Sequence, residues 1–359
     1  MQNKVLIVGA SGLVGTAAAI SFAREGWQVI AASRRRPKLL DQATIDFVAM
    51  DLQDKDACTE ACAKLRGITH VVYTAVFELP GLVDGWSDPV QINTNGKMLE
   101  NLLDAVTVSN RLQHVTLLQG TKAYGAMVGP MRIPARENQP RVEHPNFYWL
   151  QEDFLRDHAK YHDYTFTILR PQMIVGPNHG VVMNLPPVIG VYAALRREEG
   201  LSLAFPGGVD RALEAVDVRL VGDSCLWAAT HRCAQGETYN LTNGEVFSWR
   251  DMWPAIAQTL GVQLGEDESL SVAEYVTERE PLWQNVVASH NLAPNTLAQI
   301  VGESHHYADL CFAYGASEPT PPILVSTVKI HQAGFTQTYN SEKSFCYWLS
   351  DLRARRIIP

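Results

Sequence analysis

The sequence predicts an α/β fold, a doubly wound parallel sheet with a smaller interleaved C-terminal domain, and three observations support this prediction. Short apolar, β-branched runs alternate with helical patterns through the first half of the 359-residue chain. A glycine-spaced turn follows the first apolar run and opens the first helix. The second half is less regular, with no internal repeat and no low-complexity linker. Because strands of a parallel sheet are buried on both faces, uninterrupted apolar runs between helices are typical of this architecture.

The first half contains a regular series of predicted strands and helices. The strands, in chain order, are Val5–Val8, Gln28–Ala32, Asp46–Met50, His70–Thr74, His114–Leu118 and Thr165–Leu169. The helices are Thr16–Glu25, Asp54–Arg66, Ile92–Thr107 and Phe147–Tyr161. A sheet of this kind opens a crevice at the carboxyl ends of its strands, and ligands bind there.

The second half gives fewer clear elements. We predict strands at Glu214–Leu220 and Glu237–Leu241, and helices near Val191–Glu199, at Val221–His231 and at Ser248–Leu260. From about Asp267 to Pro359 the helical and loop signals follow no periodic motif. We therefore divide the chain into a first domain of residues 1–175, with returning segments near 212–242, and a second domain of residues 176–211 and 243–359.

Composition excludes several classes of protein. The formal net charge of −8 provides no basic field to attract nucleic acid or an anionic membrane. The six cysteines are scattered, and Cys58 and Cys62 lack the second ligand pair of a zinc site. The apolar run before Gly9 is too short for an export signal. We expect a cytoplasmic protein with no metal, no nucleic-acid partner and no membrane partner.

The turn after the first strand has the pattern of a dinucleotide site. It reads Gly9-Ala10-Ser11-Gly12-Leu13-Val14-Gly15, a Gly-x-x-Gly-x-x-Gly spacing used by short-chain dehydrogenases. Glycines allow a tight turn and a close approach of backbone to pyrophosphate, and the helix start adds N–H donors. The first domain is thus predicted to be a Rossmann domain whose coenzyme contacts include Gly9, Ser11, Gly12, Leu13, Val14 and Gly15.

The end of the second strand favours NADPH over NADH. NAD enzymes place an acid near this point for the ribose 2′-hydroxyl, but here the chain reads Ser33-Arg34-Arg35-Arg36. A hydroxyl and guanidinium groups suit a 2′-phosphate. Further coenzyme contacts are predicted after the third and fourth strands, at Asp51 and Leu52 beside the adenine and at Thr74, Ala75 and Val76 beside the ribose and phosphates.

The catalytic pattern of an ordinary short-chain dehydrogenase is incomplete. Such enzymes carry Ser, Tyr and Lys, with Tyr-x-x-x-Lys on one helix face. Aligning Tyr124-Gly125 with the usual Ser-x-x-x-Tyr-Gly pattern places Gly120 where the serine stands, and four residues after Tyr148 comes Glu152. A carboxylate cannot assist a tyrosinate, because like charge raises the pKa of the phenol. Lys122, at the end of the fifth strand, supplies a displaced cation.

Two stretches carry a family resemblance. The chain reads Gln119-Gly120-Thr121-Lys122-Ala123-Tyr124 and then Asn146-Phe147-Tyr148-Trp149-Leu150-Gln151-Glu152-Asp153. These stretches resemble the Thr-Gly-x-Lys-x-Tyr and Asn-Phe-Tyr-Tyr-x-x-Glu-Asp motifs of the progesterone 5β-reductase/iridoid synthase-like (PRISE) family of atypical extended short-chain dehydrogenases/reductases. Gln119 replaces the family's Thr, Ala123 replaces a His common in plant members, and Trp149 replaces the second Tyr.

The resemblance implies NADPH-dependent reduction of the C=C bond of an α,β-unsaturated carbonyl. In this interpretation Tyr148 and Lys122 are catalytic and stabilise the enolate, and the second domain binds the enone. The coenzyme contacts then also include Gln119, Gly120, Lys122, Tyr148, Pro171, Met173 and Ile174. Glu152 and Asp153 are interpreted as a structural or solvated pair. Aromatic residues that could line the pocket are Phe77, Trp86, Phe205 and Trp283.

Two alternatives stay open at this stage. One is an NADPH-dependent carbonyl reductase or sugar-nucleotide epimerase-like enzyme, which the missing Tyr-x-x-x-Lys lysine disfavours. The other is a non-catalytic NADP-binding regulator, which the retention of both Tyr148 and Lys122 disfavours. The partner we expect is a small-molecule enone, and the assembly we allow for is a homodimer.

Overall fold

The structure, a computed structural model, describes residues 3–38, 40, 44–80, 84–126 and 128–359. The chain divides into two compact units and passes between them several times. The first unit spans residues 1–172, 218–241 and 325–337, and the second spans residues 173–217, 242–324 and 338–359.

A seven-stranded parallel sheet forms the centre of the first unit. Its strands are β1 (Lys4–Val8), β2 (Gln28–Ser33), β3 (Ile45–Ala49), β4 (His70–Tyr73), β5 (His114–Leu118), β6 (Thr165–Pro171) and β9 (Glu237–Leu241). Their order is β3-β2-β1-β4-β5-β6-β9, and every neighbouring pair is parallel. The predicted doubly wound sheet is therefore confirmed. The strand order reverses between β1 and β4, the point where such sheets bind ligands outside their carboxyl ends.

Helices of the first unit pack in two groups. They are α1 (Leu13–Arg24), α2 (Lys55–Ala63), α3 (Pro89–Ser109), α4 (Phe147–His162), α6 (Val218–Thr230) and the short α12 (Val328–Gln332). Helix α1 packs against α6, while α3 contacts both α2 and α4. The first contact is close, because a Cβ atom on Gly222 would lie 2.7 Å from the carbonyl oxygen of Ala17. On the other face, apolar side chains of α2, α3 and α4 form one core cluster with the strands.

The second unit is mainly helical. Its two short strands, β7 (Met173–Val175) and β8 (Ala215–Asp217), pair in parallel. Its helices are α5 (Leu185–Glu198), α7 (Trp249–Leu260), α8 (Val272–Thr277), α9 (Glu280–Ser289), α10 (Leu297–Val301), α11 (Ser304–Cys311) and α13 (Ser341–Ala354). Helix α5 contacts each of the others, and every residue from Leu185 to Arg196 is buried. It is therefore the core helix of this unit.

The clearest differences from the sequence prediction are two element boundaries and one additional strand. Strand β8 ends at Asp217, so Val218–Leu220 is the first turn of α6 and not the end of a strand. Helix α5 begins at Leu185, because two prolines are tolerated in a first turn whose N–H groups have no intrahelical acceptor. Strand β7 was not predicted, since three residues carry too short a pattern.

Candidate active site

The glycine turn between β1 and α1 is closely packed. Gly9 has a φ of +83°, and a Cβ there would lie 2.7 Å from Thr74 Oγ1 and 2.8 Å from the Ala75 nitrogen. A Cβ on Gly15 would lie 2.3 Å from the Gly9 carbonyl oxygen. At Gly9 a side chain would be strained by the positive φ and would clash with Thr74 and Ala75, so only glycine fits there. At Gly15 a side chain would clash with the Gly9 carbonyl oxygen, so glycine is again required.

The start of α1 fits the pyrophosphate of a dinucleotide. Gly12 is its N-cap and provides no side-chain hydrogen bond, so no cap side chain occupies the N–H groups of the first turn. That turn begins with Leu13, Val14 and Gly15, directly after Ser11. First-turn N–H groups carry a partial positive charge and bind phosphate oxygens. The predicted phosphate contacts are thus brought together at the β1–β4 switch point.

Residues predicted to flank the ribose lie next to this turn. Thr74 Oγ1 donates a hydrogen bond to the Val8 carbonyl at 2.8 Å, which ties the end of β4 to the end of β1. Ala75 is half-buried and Val76 is exposed. Thr74 and Ala75 therefore contact the glycine turn, as the Cβ positions at Gly9 show.

The adenosine end has basic side chains and no acid directly after β2. Arg34 and Arg35 are exposed, whereas Ser33 is buried and its hydroxyl donates to the Arg35 carbonyl at 2.6 Å. The Arg36 guanidinium lies 4.8 Å from the centroid of the Phe47 ring. After β3, Asp51 is exposed and Leu52 is buried. The two exposed guanidinium groups of Arg34 and Arg35 are therefore available to a phosphate. The Ser33 hydroxyl instead forms a hydrogen bond with the backbone of this loop.

One asparagine links the two predicted catalytic residues. Asn146 caps α4, and its Oδ1 accepts a hydrogen bond from the Tyr148 backbone N–H at 3.0 Å. Its Nδ2 donates to the Lys122 carbonyl oxygen at 3.2 Å. The cap therefore fixes the first turn of α4, which carries the phenol, against the 3₁₀ turn Thr121–Tyr124, which carries the lysine. This contact gives a physical reason for an asparagine two residues before the tyrosine.

The lysine and the phenol both lie against Trp86. Lys122 Nζ is 3.3 Å from the centroid of the indole, a cation–π contact. The Tyr148 ring meets the same indole edge-on, with centroids 5.7 Å apart. Phe147 packs on Trp86 at 4.9 Å and completes the aromatic wall. The ammonium therefore does not point into open solvent, and it shares an aromatic neighbour with the phenol.

Burial changes the proton affinities of both groups. It lowers the pKa of Lys122 to about 8, although the nearby Glu78 carboxylate raises it. Burial also raises the pKa of the Tyr148 phenol far above its usual value, with a further contribution from Glu78 and an opposing one from Arg170. At neutral pH the phenol is thus a protonated hydrogen-bond donor.

Gly120 stands beside the phenol, where the ordinary enzymes carry serine. A Cβ on Gly120 would lie 3.3 Å from Tyr148 Oη and 3.6 Å from the Pro171 carbonyl oxygen. The backbone of Gly120 is extended, so its conformation would accept any residue. Space for the phenol, and not a special turn, is therefore what glycine provides here.

The carboxylate that replaces the usual lysine belongs to a buried ion-pair network. Glu152 accepts from Arg170 at 2.6 Å and from Arg141 at 2.9 Å. Arg170 Nε also donates to Gln119 Oε1 at 3.2 Å, and Gln119 Nε2 donates to the Tyr148 carbonyl at 3.2 Å. The interpretation of Glu152 as structural agrees with these contacts. The Gln119 side chain, which is predicted to contact the coenzyme, forms hydrogen bonds with Arg170 and with the Tyr148 carbonyl in this network.

Sequence reasoning missed Arg170 and Glu78. An acid four residues after Tyr148 on a buried helix face requires a cation, and Arg170 at the end of neighbouring β6 was the available one. Glu78 is half-buried in the segment that follows β4. Burial raises the pKa of its carboxyl, and Lys122 and Trp86 oppose this change. The sequence feature that could have identified Glu78 is an acid within an apolar stretch just after the end of a strand.

The remaining predicted residues lie in different parts of the chain. Pro171 ends β6 beside Gly120. Met173 and Ile174 lie in β7 of the second unit. Phe205 and Trp283 also belong to the second unit and are buried there, Phe205 against Trp253 and Phe312. Of these five residues, Pro171 is the one in the unit that carries the phenol and the lysine.

The described residues form neither a metal site nor a membrane-spanning helix. Within the described ranges, no three side chains of the His, Cys, Asp and Glu types come together as a metal site would require. Of the helices in those ranges, none combines the length and the hydropathy needed to cross a bilayer.

Comparison with known proteins gives full-length relatives. Residues 5–242 match the NAD dependent epimerase/dehydratase family. The chain is 29% identical to (S)-8-oxocitronellyl enol synthase of Catharanthus roseus, with 100% of this chain and 93% of that protein covered. It is 30% identical to (S)-8-oxocitronellyl enol synthase ISY2 of Nepeta cataria, covering 100% and 92%. It is 29% identical to 3-oxo-Delta(4,5)-steroid 5-beta-reductase of Arabidopsis thaliana, covering 100% and 94%.

Solved structures share the fold at lower identity. UDP-glucose 4-epimerase of Thermus thermophilus, in complex with NAD, superposes with a TM-score of 0.67 at 17% identity, covering 98% of this chain and 99% of that one. Epimerase Mth375 of Methanothermobacter thermautotrophicus gives a TM-score of 0.69 at 14% identity, covering 98% and 94%. At such identities the likeness establishes the fold alone.

Proposed function

We propose, on the premise that the chain belongs to the NAD dependent epimerase/dehydratase family and is a PRISE-like extended short-chain dehydrogenase, that it reduces the C=C bond of an enone or enal. The observation that carries this proposal is the Asn146 contact, which joins the Tyr148 and Lys122 segments beside Trp86. The site thus contains the two groups that an enolate needs, a hydrogen-bond donor and a cation, although it lacks the lysine of the ordinary motif.

The proposed coenzyme is NADPH. The chain belongs to an NAD(P)-dependent family. The choice of NADPH is supported by Arg34 and Arg35, whose exposed guanidinium groups follow β2 where NAD enzymes carry an acid. When bound, the coenzyme supplies a hydride to the β-carbon of the substrate.

The chain's own residues act on the carbonyl oxygen of the substrate. As the β-carbon accepts the electron pair, negative charge develops on that oxygen. The Tyr148 hydroxyl donates a hydrogen bond to it, and the elevated pKa keeps this hydroxyl protonated at neutral pH. The Lys122 ammonium stabilises the same charge electrostatically. The α-carbon then takes a proton from solvent, which completes the addition of two hydrogens.

The absence of the serine fits conjugate reduction. A carbonyl reductase adds hydride to the carbon that bears the oxygen, whereas an enone reductase adds it two carbons away. Tyr148 Oη lies close to the Cβ position of Gly120, so the phenol approaches the place that a serine would fill. We therefore propose that enones and not simple ketones are reduced.

A direct assay tests this function. NADPH oxidation is followed with cyclohexenone and with cyclohexanone, and with NADH in place of NADPH. We expect turnover of the enone, faster with NADPH, and little turnover of the ketone. Equal rates on the two substrates would contradict the proposal.

Tyr148→Phe tests the assigned donor. Loss of one such donor raises the barrier by about 2.7–4 kcal/mol, so kcat should fall about 10²–10³-fold while NADPH affinity is retained. Tyr161→Phe is the matched control, because Tyr161 lies on the same helix and is exposed. An active Tyr148→Phe enzyme would remove the phenol from the mechanism.

The cytoplasmic location and the homodimer stay predictions.

A further inference from the structure

Arg170, near the end of β6, uses two of its nitrogens to bind two different segments. Its side chain is buried, with 8% of its surface exposed. Nη2 donates to Glu152 Oε1 at 2.6 Å, and Nε donates to Gln119 Oε1 at 3.2 Å. Because a guanidinium group is planar, the directions of these two donors are fixed relative to each other. The arginine therefore forms a rigid link between its two partners.

Both partners of Arg170 lead to α4, the helix that carries the phenol. Gln119 Nε2 donates to the Tyr148 carbonyl oxygen at 3.2 Å, so Gln119 connects Arg170 with the first turn of α4. Glu152 lies four residues after Tyr148 and is therefore on the same side of the helix. Arg170 thus holds α4 at two successive turns.

Arg170 also contacts the turn that carries the lysine. Its guanidinium carbon lies 5.0 Å from the centroid of the Tyr124 ring, and Tyr124 ends the 3₁₀ turn that contains Lys122. A separation of this size is a cation–π contact. The Tyr124 hydroxyl donates to Asn240 Oδ1 of β9 at 2.6 Å, which fixes the ring in turn. One buried arginine therefore contacts both segments on which the proposed active site depends.

We propose that Arg170 is a positioning residue for the reaction inferred above, because its guanidinium group places the start of α4 and the lysine turn relative to each other. In an ordinary short-chain dehydrogenase the residue four positions after the tyrosine is the catalytic lysine. Here that position is Glu152, which instead attaches α4 to β6. The inference rests on the proposed function for its catalytic meaning, whereas the contacts themselves are a property of the chain.

Replacing the whole ion pair separates positioning from stability. Removal of Arg170 alone would leave the buried Glu152 carboxylate without this partner and risks unfolding the protein. Glu152→Met combined with Arg170→Met removes both charges, and apolar replacement of a buried pair often leaves stability unchanged. Arg141 keeps Asp153 as a partner at 2.7 Å. We expect a folded double variant.

The double variant should lose turnover and keep its coenzyme. A misplacement of about 1 Å in an active site costs about 10²-fold in rate, so kcat for cyclohexenone should fall by about that factor. The Kd for NADPH should be unchanged, because the predicted phosphate contacts lie in the glycine turn between β1 and α1.

The position of the phenol is measured independently of activity. In the wild type the ring centroids of Tyr148 and Trp86 are 5.7 Å apart. Crystal structures of the wild type and the double variant, both with NADPH bound, are compared. We expect the Tyr148 ring of the variant to move by about 1 Å or to occupy more than one orientation. A role in stability alone would leave the ring in place.

Gln119→Met is a milder variant that breaks one link and keeps the ion pair. It removes the bond from Arg170 Nε and the bond to the Tyr148 carbonyl. Because Glu152 still holds α4, kcat for cyclohexenone should fall by about tenfold only. If the double variant does not fold, the ring position and kcat of Gln119→Met decide the question.

The matched control is an ion pair of the second unit. The Arg196 side chain is also buried, and its Nη2 lies 2.7 Å from Glu268 Oε2. Arg196→Met combined with Glu268→Met should leave both kcat and the position of the Tyr148 ring as in the wild type.

A folded double variant in which the Tyr148 ring and kcat both stay as in the wild type overturns the inference. A fall in kcat with an unmoved ring also overturns it, because Arg170 would then act through its charge. A moved ring with unchanged kcat would remove Arg170 from the reaction. If the wild type reduces no enone, the proposed function fails, and the ring position still decides whether Arg170 places the phenol.

Discussion

At the scale of single residues, we propose that the site keeps the charges of a short-chain dehydrogenase and changes their origin. The usual lysine stands one helical turn beyond the tyrosine, but here that position is Glu152, which is paired with Arg170. The cation comes instead from Lys122, which lies over Trp86. Because an electrostatic effect depends on where charge lies in space, a cation from another segment can serve the same oxygen.

The protonation of Lys122 predicts a pH dependence. In the proposed mechanism the ammonium is the active form, and burial lowers the pKa of Lys122 to about 8. The kcat/KM for an enone should therefore fall as pH rises through about 8, since the cation is then lost. Lys122→Met should have a lower rate and lack this alkaline limb. Lys160→Met, an exposed position on α4, should keep both the rate and the limb. An unchanged limb in Lys122→Met would assign it to another group.

The two residues proposed as catalytic could be picked out because they lie in short motifs, whereas the residues around them could not. Glu78 and Arg170 reach the site through tertiary contacts, so no local spacing connects them with Tyr148 or Lys122. Gln119 shows a related limit, because a motif gives the position of a residue but not the hydrogen-bond partners of its side chain. It lies where a coenzyme contact is predicted, but its amide bonds Arg170 and the Tyr148 carbonyl.

At the scale of elements, the start of α4 organises the active site. Its cap, Asn146, binds one residue on each of two segments. One turn further on, Glu152 connects α4 with Arg170 of β6. Breaking a buried ion pair by removing one partner costs about 3–5 kcal/mol because the other charge is left unpaired, which exceeds the cost of losing an N-cap.

Asn146→Ala should impair catalysis more than its effect on stability explains. Loss of an N-cap costs about 0.5–2 kcal/mol of unfolding free energy. The same change frees the Lys122 carbonyl from α4, so kcat for the enone should fall at least about tenfold through misplacement of the lysine and the phenol.

Asp54→Ala is the matched control for Asn146→Ala. Asp54 caps α2 by accepting from the Asp56 and Ala57 N–H groups. It should lose similar stability in chemical denaturation while kcat stays near that of the wild type. Equal kcat in the two variants would show that the Asn146 link has no part in catalysis.

Most elements were predictable from periodicity, and the errors have local causes. The runs that became β1 to β6 are largely apolar and bounded by turn residues, so pattern alone located them. At the β8–α6 junction, β-branched Val216 and Val218 extended the apparent strand into a helix. In α5, Pro186 and Pro187 suggested a loop, although a helix accepts proline in its first turn.

At the scale of the whole molecule, fold and reaction are separate questions. The same fold occurs in epimerases that superpose over nearly the full chain. A fold does not determine a reaction, so the residues around Tyr148 must decide which one occurs. The central claim is that this site directs hydride to a carbon two bonds away from the one it would reach in a carbonyl reductase.

Deuterium transfer tests that claim most directly. NADPH labelled at nicotinamide C4, prepared as each of the two epimers, is incubated with the enzyme and cyclohexenone, and the product is analysed by NMR. We predict cyclohexanone with deuterium on the carbon β to the carbonyl, from one epimer and not the other. Deuterium on the carbinol carbon of an allylic alcohol would contradict the account.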